Sequence, residues 1–364
     1  MVYRAIGLMS GSSLDGMDIA FVEFHENAGK WNYEILESAC YPYSNEWMKR
    51  LKEATTLSAL DYQLLHVDYG HYIGQQVNQF IETYQLHYKV SLIASHGHTT
   101  FHVPSRKLTA QLGDGAAIAA GTGLPVVTDL RSLDLAFGGQ GAPIVPIGEK
   151  LLLGNYGYFL NLGGIANISL NTDHYIAFDV CPANRVLNML ANEAGLEYDG
   201  GGEIAASGMV NQPLLDKLNS MQFYKQPYPK SLANDFGTDV VYPIIKESGC
   251  ATQDALRTFV EHIALQIKNS ISKFNDQRSS TNGQLLATGG GAFNTFLVER
   301  LSDQLKEFNI EVVIPEAKLI NFKEALIMAL IGVLRWRQEY NVLSSVTGST
   351  RDSIGGALWT GQEA

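Results

Sequence analysis

The chain has 364 residues, with 37 acidic against 26 basic side chains and a formal net charge of −11. An apolar fraction of 46% with only 17% charged residues is enough for a large core and excludes a disordered scaffold. The acidic balance argues against nucleic acid or an anionic membrane surface as a partner. Glycine is the informative residue: its 35 copies fall in short clusters between apolar runs, where backbone must turn tightly or approach a ligand closely.

In chain order, an apolar strand over residues 5–9, a turn of small, hydroxylated and acidic residues over 10–16, and an apolar run over 19–24 read as a β-hairpin. A third strand over 33–36 and a short helix near 47–51 follow. Ile73, Val77, Phe80, Ile81 and Tyr84 share one face of a longer helix, and a buried strand over 90–94 ends at Ser95-His96-Gly97. The second half repeats this order. Strands over 158–162 and 165–170 flank Gly163 and Gly164, and a third over 175–178 ends at Asp179, before Cys181-Pro182 and a helix. Leu256, Phe259, Val260, Ile263, Ile267 and Ile271 mark a helical face, and a strand over 284–287 runs into Gly289, Gly290 and Gly291. Two halves in one order predict a duplicated α/β fold with a cleft between two lobes. The lobes are expected at 1–135 and 136–364, with the last helix packing back on the first lobe.

Cys40, Cys181 and Cys250 form neither a disulfide framework nor a CxxC metal site. The first apolar stretch is too short for a signal peptide, and no apolar run reaches the roughly 18 residues of a membrane span. A soluble, cytoplasmic protein is expected.

Known nucleotide and zinc motifs are missing: there is no P-loop and no HExxH, and the fingerprint begun at Gly113-Asp114-Gly115 fails at Ile118. The first turn is more informative. Gly11, Ser12, Ser13 and Gly16 offer N–H groups and hydroxyls suited to phosphate oxygens, flanked by Asp15 and Asp18 as beside a bridging Mg²⁺. A tight turn with locally satisfied Asp and Ser is the alternative. Asp179 stands either at a strand end that faces ligand or at the start of a helix. Glu324, in Asn321-Phe322-Lys323-Glu324, reads first as the end of a capping box opening a helix over 325–336. His96, His98 and His102 suit substrate hydrogen bonding or a structural role better than a metal. Cys181, near a helix start, has either a lowered pKa or a buried bystander's place.

Together these segments resemble the anhydro-N-acetylmuramic acid kinases, a family with an actin-like, hexokinase-type (ribonuclease H-like) ATPase fold. The resemblance runs nearly the full length, through residues 7–18, 95–99, 111–114, 129–131, 138–146, 161–167, 178–179, 229–231, 288–291 and 321–325. It implies a reaction in which water opens 1,6-anhydro-N-acetylmuramic acid at the anomeric carbon. The freed 6-oxygen takes the γ-phosphoryl group of ATP, with Mg²⁺, in the recycling of cell-wall sugars. Asp179 is then the general base, and Glu324 orients the water or the sugar. Arg131 and His96 hold the sugar and its lactyl carboxylate. Gly11, Ser12, Ser13, Leu14, Asp15, Gly16, Met17 and Asp18 carry the phosphates; Gly163 and Gly164 occupy the matching turn, and Gly289 and Gly290 lie against the nucleoside. No metal ligand is assigned, and the oligomeric state, a homodimer included, is left open.

Four departures stand out. Ser12 replaces Thr, Asp179-Val-Cys-Pro-Ala-Asn184 replaces Asp-Thr-Gly-Pro-Gly-Asn, His98 stands for Gln, and Gly201 stands where a second Asp is common. The second of these motivates an alternative, a kinase of the same fold for another sugar. A non-catalytic ATP-switched protein is the alternative of a different class.

Overall fold

The computed structural model describes residues 1–11, 14–172, 175–228, 230–233, 235–274 and 283–361. Contacts within the chain group it into two units, Met1–Leu153 with Phe322–Ala364, and Gly154–Asn321.

In the first unit, β1 (Val2–Ser10), β2 (Gly16–Asn27) and β3 (Lys30–Pro42) form an antiparallel meander. β4 (Leu92–Val103) pairs parallel to β1, and β6 (Val126–Thr128) parallel to β4. β5 (Leu108–Leu112) pairs with the far part of β4, and β12 (Ala357–Trp359) with β6, both antiparallel. The sheet order is β12-β6-β4-β1-β2-β3. Central β1 is apolar without alternation because it is covered on both faces. Ile6 and Leu8 pack with Ile19 and Phe21 against Tyr69, Ile73, Val77 and Phe80 of helix Ala59–Thr83.

The second unit repeats the plan. β7 (Tyr158–Leu162), β8 (Ile165–Leu170) and β9 (Ile176–Pro182) form the meander. β10 (Gln284–Thr288) lies parallel to β7, and β11 (Glu311–Val313) parallel to β10, giving β11-β10-β7-β8-β9. Leu160, Ile168 and Val180 pack with Leu256, Phe259, Val260, Ile263 and Ile267 of helix Thr252–Ser272. In both units three antiparallel strands are followed by two parallel to the first. The duplicated, ribonuclease H-like fold expected from the sequence is therefore borne out in strand order.

Several boundaries differ from expectation. The division expected at 135/136 falls inside the first unit, which also takes helix Pro146–Leu152. A Cβ on Gly148 of that helix would meet Ile327 Cγ1 at 2.5 Å, and Glu149 beside it pairs with Lys323 at 3.1 Å. β4 does not end at 94 but runs to Val103 along β5, so His96, His98 and His102 are strand residues. β9 continues past Asp179 to Pro182. The helix carrying Glu324 starts at Ala317, because Glu316 already accepts the first turn's N–H groups, so Glu324 lies about two turns inside and caps nothing. Among the described residues no helix is long and apolar enough to cross a membrane.

Gly7 fixes how closely β1 and helix Ala317–Trp336 approach. A Cβ there would stand 1.9 Å from the Ala325 carbonyl oxygen and 2.6 Å from Ala329 N. Gly7→Ala is expected to destabilise the protein by about 1–3 kcal/mol or more, through overpacking against backbone that cannot give. Gly74→Ala, in a helix where the nearest atom lies at 3.8 Å, is expected to be neutral or stabilising. Urea unfolding midpoints of the two variants check this.

Candidate active site

The first unit gathers Asp18, Glu324, Arg131 and His96. Asp18 lies on β2 opposite Cys40 of β3. Burial raises its pKa to about 6, with the Cys40 thiol opposing and the carboxylates of Glu324 and Asp15 adding to the rise. Burial, and then Asp18, pushes the Cys40 thiol up to about 12. Burial also lifts Glu324 above the usual glutamate range, against Lys323 and Arg131 and with Glu149. Arg131, at the start of helix Ser132–Ala136, is lowered to about 10 by burial while Glu324 holds it up, and among the described residues its Nε has no partner.

His96 is buried in β4, with Nδ1 2.9 Å from the Gly97 carbonyl oxygen. A carbonyl only accepts, so Nδ1 carries the proton and Nε2 is a buried acceptor without a partner. Burial, helped by Arg131, lowers its pKa to about 3 and keeps the ring neutral. His96 also lines a cavity of about 340 Å³ shared with Ser95, Gln111, Asp114, Asp129 and Trp359. In the first turn Leu14 adopts a φ of 61° and its N–H donates to the Gly11 carbonyl at 3.4 Å, leading into Gly16 and Met17 of β2. The predicted Ser12 and Ser13 lie outside the described residues.

The second unit holds Asp179 and the other glycines. Asn184 N donates to the Gly163 carbonyl at 3.0 Å and Ala183 N to that of Gly164 at 2.9 Å. Gly289 has a φ of 80°, and a side chain there would strike Asn161 Oδ1 at 2.6 Å. Gly290 follows it in the turn Gly290–Phe293, beside Asn184, whose Nδ2 donates to the Leu162 carbonyl at 2.8 Å. Asp179 Oδ2 accepts from Leu232 N at 2.8 Å and from Ser231 Oγ at 3.1 Å. Burial raises its pKa, against these two hydrogen bonds and the Lys230 charge. Among the described residues no group of three or more His, Cys, Asp and Glu is arranged to hold a metal, so His96, His98 and His102 do not form one.

The family described as anhydro-N-acetylmuramic acid kinase matches residues 3–361 of this chain. The chain belongs to that family. Relatives bearing the family's name include the protein of Sulfurovum sp. (strain NBC37-1), 33% identical over 98% of this chain and 99% of that one. The protein of Zymomonas mobilis subsp. mobilis is 36% identical over 83% of this chain and 85% of that one. Among solved structures, the activator of the 2-hydroxyisocaproyl-CoA dehydratase from Clostridium difficile with bound ADPNP is similar over 92% of this chain and 96% of that one, with a TM-score of 0.43 at 13% identity.

Sequence reasoning within this family missed one polar chain altogether. Tyr43 Oη donates to Ser10 Oγ at 2.8 Å, so Tyr69 donates to Tyr43 at 2.5 Å, and Ser10 Oγ lies 3.0 Å from His98 Nδ1. His98, one of the four departures noted in the sequence, thus hydrogen-bonds the last residue of β1 before the turn. The one signal for it was that departure. The departures that follow Asp179 look inward: Val180, Cys181 and Ala183 are all buried in the core, and burial raises the Cys181 thiol pKa.

Asp18 titrates above its ordinary value of 3.8, so between about pH 4 and 6 the native state holds a proton that the unfolded chain has lost. Stability therefore falls as pH rises through that window. Asp18→Asn is expected to raise the unfolding free energy of the ligand-free protein at pH 7.5 by up to about 2–3 kcal/mol. The gain should vanish below pH 4. Urea titrations at the two pH values check this, and an equal effect at both contradicts it.

Proposed function

We propose that this chain is an ATP-dependent kinase that opens 1,6-anhydro-N-acetylmuramic acid with water and phosphorylates its 6-oxygen. The products are N-acetylmuramic acid 6-phosphate and ADP, in the recycling of murein sugars. Family membership supports the substrate. The observation that carries the chemistry is Asp179, a half-buried carboxylate anchored through one oxygen, with the other accepting no hydrogen bond among the described residues.

In this reaction the water oxygen bonds to C1 as the C1–O6 bond breaks, and the electron pair left on O6 attacks the γ-phosphorus of ATP. The bond to the ADP oxygen breaks in turn, and the water's proton passes to Asp179. Burial makes that carboxylate a stronger base than an exposed aspartate. Glu324 orients the water or the sugar. Arg131, desolvated and with an unspent Nε, pairs with the lactyl carboxylate, and neutral His96 accepts a sugar hydroxyl at Nε2. The turn from Gly11 to Asp18 carries the phosphates, as backbone N–H groups in a concave turn do. Gly163, Gly164, Gly289 and Gly290 leave room for the nucleotide where side chains would intrude.

The residues present also fit Mg²⁺. Asp18 is pushed up partly by the like charges of Glu324 and Asp15, a concentration of negative charge that a divalent cation relieves. Asp18 and Asp15 would hold it, and when bound it neutralises phosphate charge. The altered stretch after Asp179 gives no support to a different sugar, because its side chains pack into the core.

Asp179→Asn is expected to lower kcat by about 10²–10⁴-fold, the contribution of a positioned general base. Sugar affinity should change far less. An assay coupled to ADP release, with mass spectrometry of the sugar product and calorimetry for binding, checks this. Turnover near wild type would remove Asp179 from the role.

A further inference from the structure

We infer that the two oxygens of Asp179 have separate tasks: Oδ2 is held by the segment Lys230-Ser231-Leu232, and Oδ1 is the atom that takes the proton from water. Ser231 and Lys230 are then positioning residues for the reaction. The inference rests on Asp179 being the base.

The strand itself aims this side chain. Asn167 pairs with Asp179 while its neighbour Ala166 pairs with Cys181, which leaves Val180 as the extra residue of a bulge. In an unbroken strand residues 179 and 181 would share a face. The bulge sends both Val180 and Cys181 into the core and frees Asp179 from following them.

Three links then tie Asp179 to three consecutive residues. Its backbone N donates to the Lys230 carbonyl at 3.1 Å, Ser231 Oγ donates to Oδ2 at 3.1 Å, and Leu232 N donates to Oδ2 at 2.8 Å. Both side-chain bonds end on the same oxygen. Among the described residues Oδ1 accepts none, so it retains the lone pairs a water can use.

The segment is itself anchored at two points. Leu232 is buried in the core of the unit. Lys230 places Nζ 4.4 Å from the Phe223 ring centroid and donates to the Phe223 carbonyl at 3.4 Å. The neighbouring Tyr224 is fixed by a largely buried network. Gln266 Nε2 donates to Asn219 Oδ1 at 2.8 Å and His262 Nδ1 lies 2.7 Å from the same oxygen, so His262 donates there and accepts from Tyr224 Oη through Nε2 at 3.0 Å.

The titratable group acting on Asp179 is Lys230, with Lys273, at the end of helix Thr252–Ser272, acting on Lys230; Asp179 in turn helps raise the Cys181 thiol. Hydrogen bonds to an ionised carboxylate favour that form, so Ser231 and Leu232 counter the burial that would otherwise keep Asp179 protonated.

The test compares Ser231→Ala, Ser231→Thr and Asp179→Asn by the pH dependence of kcat/KM, by kcat, and by KM for ATP. Ser231 is exposed, and melting curves establish that its variants fold. In Ser231→Ala, loss of the hydroxyl is expected to move the acid limb of the profile to higher pH by about one pH unit. It is also expected to lower kcat about tenfold, with KM for ATP unchanged. Ser231→Thr keeps the hydroxyl and is expected to restore both. A wild-type acid limb in Ser231→Ala, or a threonine variant as impaired as the alanine one, overturns the inference. If Asp179→Asn is inactive while Ser231→Ala keeps the wild-type profile, the positioning role alone falls. If Asp179→Asn turns over normally, the base assignment falls and takes this inference with it.

Discussion

Removing an ionised carboxylate from water costs several kcal/mol unless hydrogen bonds or an opposite charge compensate it. That constraint organises this molecule, and the way each buried acid meets it separates scaffold from site. Asp134 is fully buried and accepts from Gly141 N and Thr347 Oγ1, both at 2.7 Å. Glu149 is buried against Lys323. Asp179 is half compensated, through one oxygen. Asp18 is raised by its own burial and by two neighbouring acids against one thiol, and Glu324 is raised by burial against the charges of Lys323 and Arg131. Asp134 and Glu149 are satisfied within the protein; in the proposed reaction the others meet a proton, a cation or a substrate group.

The fold supplies that arrangement twice from one plan. Each unit begins with a central strand and a turn of small residues into an antiparallel neighbour, Gly11–Gly16 after β1 and Gly163-Gly164 after β7. Apolar strands and long helices bury each sheet, which leaves Gly11 and Gly16 after β1, Gly163 and Gly164 after β7 and the glycine run after β10 as backbone without side chains. In the proposed kinase these are the places where phosphates and nucleoside need close approach.

Local pattern revealed much of this and failed where pairing is distant. The helical faces around Ile73 and Ile263 were legible because burial repeats every three or four residues. The length of β4 was not, since its outer half exists only by pairing with β5. Asn321 to Glu324 looks like a cap from its composition, yet Glu316 starts the helix earlier and places Glu324 among buried charges. Gly138, Gly139 and Gly141 lie in one of the segments that carry the family resemblance. Two of them also wrap Asp134: a Cβ on Gly139 would lie 2.2 Å from Oδ2, and Gly141 donates to that oxygen. The Ser10–His98 contact joins residues 88 apart, and only the departure at His98 hints at it.

The central claim is that one chain delivers water to the anomeric carbon and a phosphoryl group to the oxygen that leaves it. Turnover in water enriched in oxygen-18, quenched early and followed by fragment mass spectrometry, tests this most directly. One heavy oxygen at C1 and none in the transferred phosphoryl group is the predicted result. Heavy oxygen in the phosphoryl group, with C1 unlabelled, would contradict it.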